Sequence, residues 1–150
     1  MERREILKVA AVSIASALSS SALAQGNEHE HHHHGSHSDS ANSSIITTSL
    51  ECIKTGEACL NHCLYLLGKG KKEMAGCATS VNEMLAICNA LMKLASQDSK
   101  RLKSIAKLAA DVCESCEKEC RKHEKQHAEC KACADACAQC LQECKTLMKA

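Results

Sequence analysis

The 150-residue chain predicts an all-α fold, an antiparallel up-down four-helix bundle with a cysteine-lined core. Three observations carry this prediction. Pro, Trp and Phe are absent and Tyr65 is the one aromatic residue, so residues that favour sheet are scarce while Ala, Leu, Lys and Glu abound. From Ile45 onward, apolar and cysteine residues recur at alternating steps of three and four, the period of a helix face turned toward a bundle core. The breaks in this period are few and short, as antiparallel neighbours require.

Residues 1–24 read as a twin-arginine-type signal peptide: Arg3-Arg4, a short apolar stretch from Val9 to Leu18, and Ala22-Leu23-Ala24 as a small-residue cleavage site before Gln25. An ordinary secretory signal would use the same arginines as its basic region. Either reading predicts export to the periplasm or another extracytoplasmic compartment. No apolar run approaches the roughly 20 residues of a spanning helix, so no membrane association is expected of the mature form. Residues 25–44 predict a disordered leader whose run Glu28-His29-Glu30-His31-His32-His33-His34-Gly35-Ser36-His37 is either a loose gatherer of metal ions or a solvated polar tail.

Residues 45–150 form the predicted bundle. The first helix is expected to open near a Thr48-x-x-Glu51 capping box and to end at Gly68 and Gly70. Ser96 to Asp98 separates the second helix from the third, and His123-Glu124-Lys125-Gln126-His127 separates the third from the fourth. The core stripes read Ile45, Ser49, Cys52, Gly56, Cys59, Cys63, then Met74, Cys77, Val81, Met84, Cys88, Leu91. They continue as Leu102, Ile105, Ala109, Cys113, Cys116, Cys120, His123 and as Cys130, Cys133, Cys137, Cys140, Cys144, Leu147.

All 13 cysteines fall on these stripes, although randomly scattered residues would do so only about two times in seven. A few buried cysteines would be ordinary small hydrophobes, but five successive core positions of one helix are not. Disulfides between residues three or four apart on a helix are too rigidly placed to form easily, and an odd number of cysteines leaves one unpaired, although cross-helix bridges remain open.

Thiolates select copper(I), zinc or iron–sulfur clusters. Cluster ligands usually come from turning loops, whereas Cys113 to Cys144 lie on glycine-free helices. Several four-thiolate zinc sites would each bury two net negative charges, while copper(I) near one ion per thiolate leaves the core almost neutral. Pairs such as Cys59/Cys63, Cys113/Cys116, Cys133/Cys137 and Cys140/Cys144, with Cβ atoms roughly 5–6 Å apart, can face one ion from two sides.

The leader, Cys52-x₆-Cys59-x₃-Cys63, Cys113-x₂-Cys116-x₃-Cys120 and Cys130-x₂-Cys133-x₃-Cys137-x₂-Cys140-x₃-Cys144 together resemble the exported bacterial copper storage proteins known from methane-oxidising bacteria. The resemblance spans essentially the whole chain. It implies a homotetramer of four-helix bundles, several copper(I) ions held by core cysteines, and supply of copper to copper-dependent enzymes through delivery or recipient proteins.

Other functions fit less well. The formal charge of +1 and the lack of aromatic residues among the lysines leave nucleic-acid binding without its electrostatic and stacking requirements. No enzyme is predicted: a thiol redox protein of the thioredoxin type would place Cys-x-x-Cys beside a sheet, and no strand pattern exists. A zinc- or cadmium-sequestering, metallothionein-like bundle remains the alternative. In an up-down bundle Cys63, Met74, His123, His127 and Cys130 share one end, which is therefore the expected mouth for copper, with Met74, His123 and His127 as soft or neutral ligands at the rim. His62 is expected on the surface or as a helper there. Ile45, Leu91, Leu102, Ile105 and Leu147 should form an apolar plug at the other end.

Overall fold

The computed structural model describes residues 42–150, which form four helices: α1 (Ser43–Gly68), α2 (Ala75–Ser96), α3 (Leu102–Arg121) and α4 (Ala128–Lys149), with a 3₁₀ turn at Lys72–Met74. The signal-peptide expectation and the leader through residue 41 fall outside the described residues, whereas Asn42 to Ser44, expected as the leader's end, already belong to the start of the bundle. Each helix packs on two neighbours in the ring α1, α2, α3, α4, and the diagonal pairs α1/α3 and α2/α4 do not touch along their backbones. Short antiparallel connections dictate this arrangement.

The ends of the helices show how sequence sets the turns. At the end of α1, Gly70 takes the left-handed conformation (φ +82°), letting Lys71 N–H reach Leu66 O at 3.1 Å and Gly70 N–H reach Leu67 O at 2.9 Å. This closure satisfies carbonyls that the helix end leaves without partners. The same closure ends α2, with Ser99 N–H on Leu94 O at 3.0 Å, but here the left-handed residue is Asp98 (φ 47°). Asn42 supports that less comfortable position: its side-chain amide donates to Asp98 Oδ1 at 2.7 Å and to Ala95 O at 3.3 Å. The start of the bundle is thereby tied to the α2–α3 turn.

That tie also explains a departure from the expected start. α1 begins just ahead of Ile45, and Thr48 lies inside it with its hydroxyl on Ser44 O at 3.1 Å, so Thr48 and Glu51 form no capping box.

The core follows the predicted stripes closely. On α1 the buried residues are Ile45, Ser49, Cys52, Gly56, Cys59 and Cys63, the predicted set. Gly56 permits close approach of α2, since a Cβ there would lie 2.6 Å from Met84 Cε and 2.9 Å from Leu85 Cδ2. Met74, Cys77, Val81, Met84, Cys88 and Leu91 are also buried. The third and fourth stripes depart from the pattern at Ile105, His123 and Leu147, which are only half-buried, His123 lying just beyond the end of α3, and Ala106 takes the interior place beside Ile105. Two successive steps of four, from Ile105 to Ala109 to Cys113, rotate the α3 stripe and bring Ile105 to its margin. No described helix is long and apolar enough to cross a membrane.

Candidate metal centre

Every one of the 13 cysteines is free and has no exposed surface. Four groups gather sulfurs within 4.8 Å of one another: Cys59/Cys63/Cys77/Cys130, Cys59/Cys120/Cys133, Cys116/Cys133/Cys137 and Cys52/Cys88/Cys113/Cys140. Cys59 and Cys133 each belong to two groups. Only Cys144 stands outside all four, one turn beyond Cys140 toward the plug end.

The closest sulfur contacts run mostly between helices, whereas the spacing argument expected pairs along a helix. Cys77 and Cys120 approach to 3.5 Å, Cys59 and Cys130 to 3.8 Å, Cys88 and Cys113 to 3.8 Å, and Cys116 and Cys133 to 3.9 Å. Cys77 on α2 even reaches Cys130 on α4 at 4.0 Å across the diagonal that the backbones leave open. Among these hydrogen-bonded contacts the one along a helix is Cys116–Cys120, at 4.0 Å. Heptad periodicity tells which face a thiol occupies. It does not give the axial register between helices, which decides the partners.

The thiols perturb each other because a proton shared between two sulfurs stabilises one as donor and the other as acceptor. Cys52 and Cys88 are pushed well above the ordinary thiol range, chiefly by hydrogen bonds to Cys113, with burial adding to the effect. Cys144 is pushed up mainly by Cys140 and then by burial. Cys113 is drawn down to about 6, first by its hydrogen bond with Cys137. Cys63, Cys133 and Cys140 are drawn below the ordinary range, chiefly by Cys130, Cys116 and Cys113 respectively, and the nearby His62 adds to the effect at Cys63.

The raised group is the larger, adding Cys59, Cys77, Cys116, Cys120, Cys130 and Cys137 to Cys52, Cys88 and Cys144. A thiol whose folded value is raised contributes stability below its unfolded value, and loses that contribution as pH rises toward the folded one. The four lowered thiols act in the opposite sense. Nine raised thiols outweigh four lowered ones only once unfolded thiols begin to ionise, so metal-free bundle should melt at progressively lower temperature from about pH 9 to pH 10, and a melting temperature that climbs over this window in reduced, oxygen-free samples would contradict the assigned shifts.

Met74, His123 and His127 lie at the end of the bundle where Cys63 and Cys130 are found. Met74 is in the 3₁₀ turn just ahead of α2 and is buried, and it lines a cavity with Leu66, Lys71, Glu73, Gln126 and His127. His127 immediately precedes α4, and the rings of His123 and His127 stand 6.5 Å apart. His62 contributes more than the stripe suggested. Its Nε2 lies 2.9 Å from His127 Nδ1, and its Nδ1 lies 3.7 Å from Glu129 Oε1. The signal for this pairing was present in the topology, because the end of α1 and the start of α4 meet at one end. At the other end Ile45, Leu91 and Leu102 are buried as predicted, and Leu102 lines a surface cleft with Asn42, Asp98, Lys100 and Leu147.

The family model described as copper storage protein matches residues 37–149. The chain belongs to the copper storage protein family. Copper storage protein 3 of Bacillus subtilis is similar in fold. Its apo structure is 33% identical, covers 71% of this chain and 98% of its own, and superposes with a TM-score of 0.63. The copper(I)-bound form of the same protein gives 32% identity, 71% and 97% coverage, and a TM-score of 0.64. A copper storage protein of Streptomyces lividans, loaded with five coppers, is 25% identical over 73% of this chain and 92% of its own, with a TM-score of 0.65.

One expectation is overturned here. The Streptomyces lividans protein is described as cytosolic, so resemblance to this family does not carry the predicted export to the periplasm or another extracytoplasmic compartment. An arginine pair before a short Ala- and Ser-rich stretch is a weak compositional signal. A core of free thiols is, moreover, what a reducing compartment maintains without special protection.

Proposed function

We propose that this copper storage protein holds many copper(I) ions on its core cysteine thiolates for later supply to copper-dependent proteins and for sequestration. The observation that carries this reading is the buried sulfur lattice, in which Cys59 and Cys133 link neighbouring groups along the bundle. Copper(I) accepts two or three soft ligands, and one positive charge per thiolate avoids the cost of burying unbalanced charge. Copper(I) is therefore cargo, and the thirteen cysteines Cys52, Cys59, Cys63, Cys77, Cys88, Cys113, Cys116, Cys120, Cys130, Cys133, Cys137, Cys140 and Cys144 are its ligands. No catalytic residue is assigned, in keeping with a family of storage proteins.

Copper enters at the end bearing Met74, His123 and His127, with His62 beside them. A thioether and neutral imidazoles can pass a soft ion inward without adding charge. Replacing Met74, His123 and His127 together should slow both uptake and chelator-driven removal by about tenfold or more, an effect of about 1.4 kcal/mol on the barrier, with total capacity unchanged. Stopped-flow transfer from a copper(I) chelator measures this. Unaltered rates, joined to altered rates on replacing Leu102, would place the mouth at the other end.

The homotetramer implied by the family resemblance finds support on the outer face of α1. Ile46, Leu50 and Ile53, and again Leu60, Leu64 and Leu67, recur at steps of four and three on either side of the exposed Glu57, and Leu50 and Leu64 remain 49% and 54% exposed. A second apolar stripe of this kind marks a face for association. Sedimentation should give a tetramer that Leu50→Lys with Leu64→Lys dissociates; a monomeric parent chain at micromolar concentration would end this reading.

A further inference from the structure

The four thiol groups are not equivalent, and their differences bear on which metal each can take. A tetrahedral ion with metal–sulfur bonds of about 2.3 Å sets its ligand sulfurs about 3.8 Å apart. In the group at the His-bearing end, Cys59 to Cys130 is 3.8 Å, Cys59 to Cys77 is 3.9 Å and Cys77 to Cys130 is 4.0 Å, with Cys63 within 4.8 Å of all three. This set is close to tetrahedral edges before any ion arrives.

Four thiolates around a divalent ion carry two net negative charges, so the surroundings must compensate them. Cys77 is the third residue of α2 and Cys130 the third residue of α4, so both thiols sit in the first turn of a helix, where a thiolate is favoured, while Cys63 lies more than a turn from the C-terminal end of α1, whose opposing effect fades within its last turn. His62 lies next to it and is itself held between His127 and Glu129. The other four-thiol group lacks these features. Cys52, Cys88, Cys113 and Cys140 all sit more than a turn inside their helices, under the buried Leu91 and Ile45. A dianion there would have no dipole or partner charge to offset it.

We propose that the copper-free chain binds a single divalent ion of the zinc class, tetrahedrally, on Cys59, Cys63, Cys77 and Cys130, and that incoming copper(I) displaces it. Binding takes the group to four thiolates, releasing the thiol protons it still carries, and leaves a charge of minus two. Replacement by copper(I), at up to one ion per sulfur, returns the group toward neutrality, and this favours displacement. No electron is transferred. The proposal rests on the storage reading only for the displacement step, and it assigns the divalent ion a placeholder role at the mouth of the bundle.

Cobalt(II) and zinc(II) test it on the reduced full-length chain under oxygen-free conditions. One equivalent of cobalt(II) should produce the intense visible bands and thiolate charge-transfer absorption of tetrahedral four-sulfur coordination, with no increase beyond that point, and zinc(II) should bleach them. Copper(I) should release the bound ion completely while still loading to its usual capacity. Cys130→Ala should abolish the tetrahedral bands and Cys113→Ala should keep them. Absence of the bands, saturation at two or more equivalents, or equal loss in both variants would overturn the proposal. If either variant loses its helices by circular dichroism, the stoichiometry and band intensity of the unaltered chain decide. A failed cobalt(II) titration beside normal copper(I) loading rejects the divalent site alone, whereas failed copper(I) loading rejects the storage reading.

Discussion

Titrated with copper(I) in competition with a chelator, reduced protein should saturate close to one ion per cysteine, about thirteen per chain. The expectation follows from charge and from connectivity. With one monovalent ion per thiolate the buried lattice is nearly neutral, so the desolvation penalty that limits buried charge is largely avoided. Sulfurs such as Cys59 and Cys133 already stand within reach of two groups and can bridge ions, which allows a ratio far above one ion per four ligands. Replacing all 13 cysteines with Ala should remove essentially the whole capacity. Saturation at three or four ions would instead describe separate tetrahedral sites and support the zinc- or cadmium-sequestering alternative.

Loading should also raise the melting temperature by about 20 °C or more. The core contains few large apolar side chains: Met74, Met84, Leu91 and Val81 are the largest fully buried ones, and cysteines follow. Helix association in the metal-free state therefore depends on modest burial. An ion bound only by the folded state adds about 2.7 kcal/mol when its free concentration is a hundred times its dissociation constant, so four independent ions would add about 11 kcal/mol. Since about 1 kcal/mol moves the midpoint of a domain near 100 residues by about 4–8 °C, the expected rise is conservative. Cross-helix sulfur pairs such as Cys59/Cys130 and Cys88/Cys113 put the stabilisation between helices, where the apo bundle lacks it. Identical melting curves for loaded and metal-free protein in reduced, oxygen-free buffer would argue against a metal-filled core.

Much of this architecture was legible in the sequence because each layer of it is periodic. Alternating steps of three and four placed Cys52, Cys59 and Cys63 on one face, and all are buried. Gly70 marked the end of α1 because its left-handed conformation is cheap for glycine. Asp98 was harder to read as a helix-closing residue, since its conformation depends on Asn42, distant in sequence. The supposed Thr48 cap failed for a local reason, since α1 starts at Ser43 and the Thr48 hydroxyl bonds Ser44 O within it. Ile105 and Ala106 show the limit of a stripe where its steps stop alternating. The along-helix pairs Cys59/Cys63, Cys116/Cys120 and Cys133/Cys137 do come together, but the cross-helix sulfur partners were illegible, because a pattern along one helix contains no information on the height of its neighbour. His62 fell between these cases: its position beside Cys63 was plain, but its ring partner comes from the start of α4.

The sharing of Cys59 and Cys133 between adjacent thiol groups has a consequence for what the core can remember. Separate pockets would preserve the identity of each occupant until it left. Here Cys59 and Cys133 chain three of the four groups together, so an ion there can advance by exchanging one ligand while keeping the others, whereas Cys52, Cys88, Cys113 and Cys140 share no sulfur with them. The atoms that set the capacity also form the road through it. Within those three linked groups, arrival order would not be preserved once the bundle is filled.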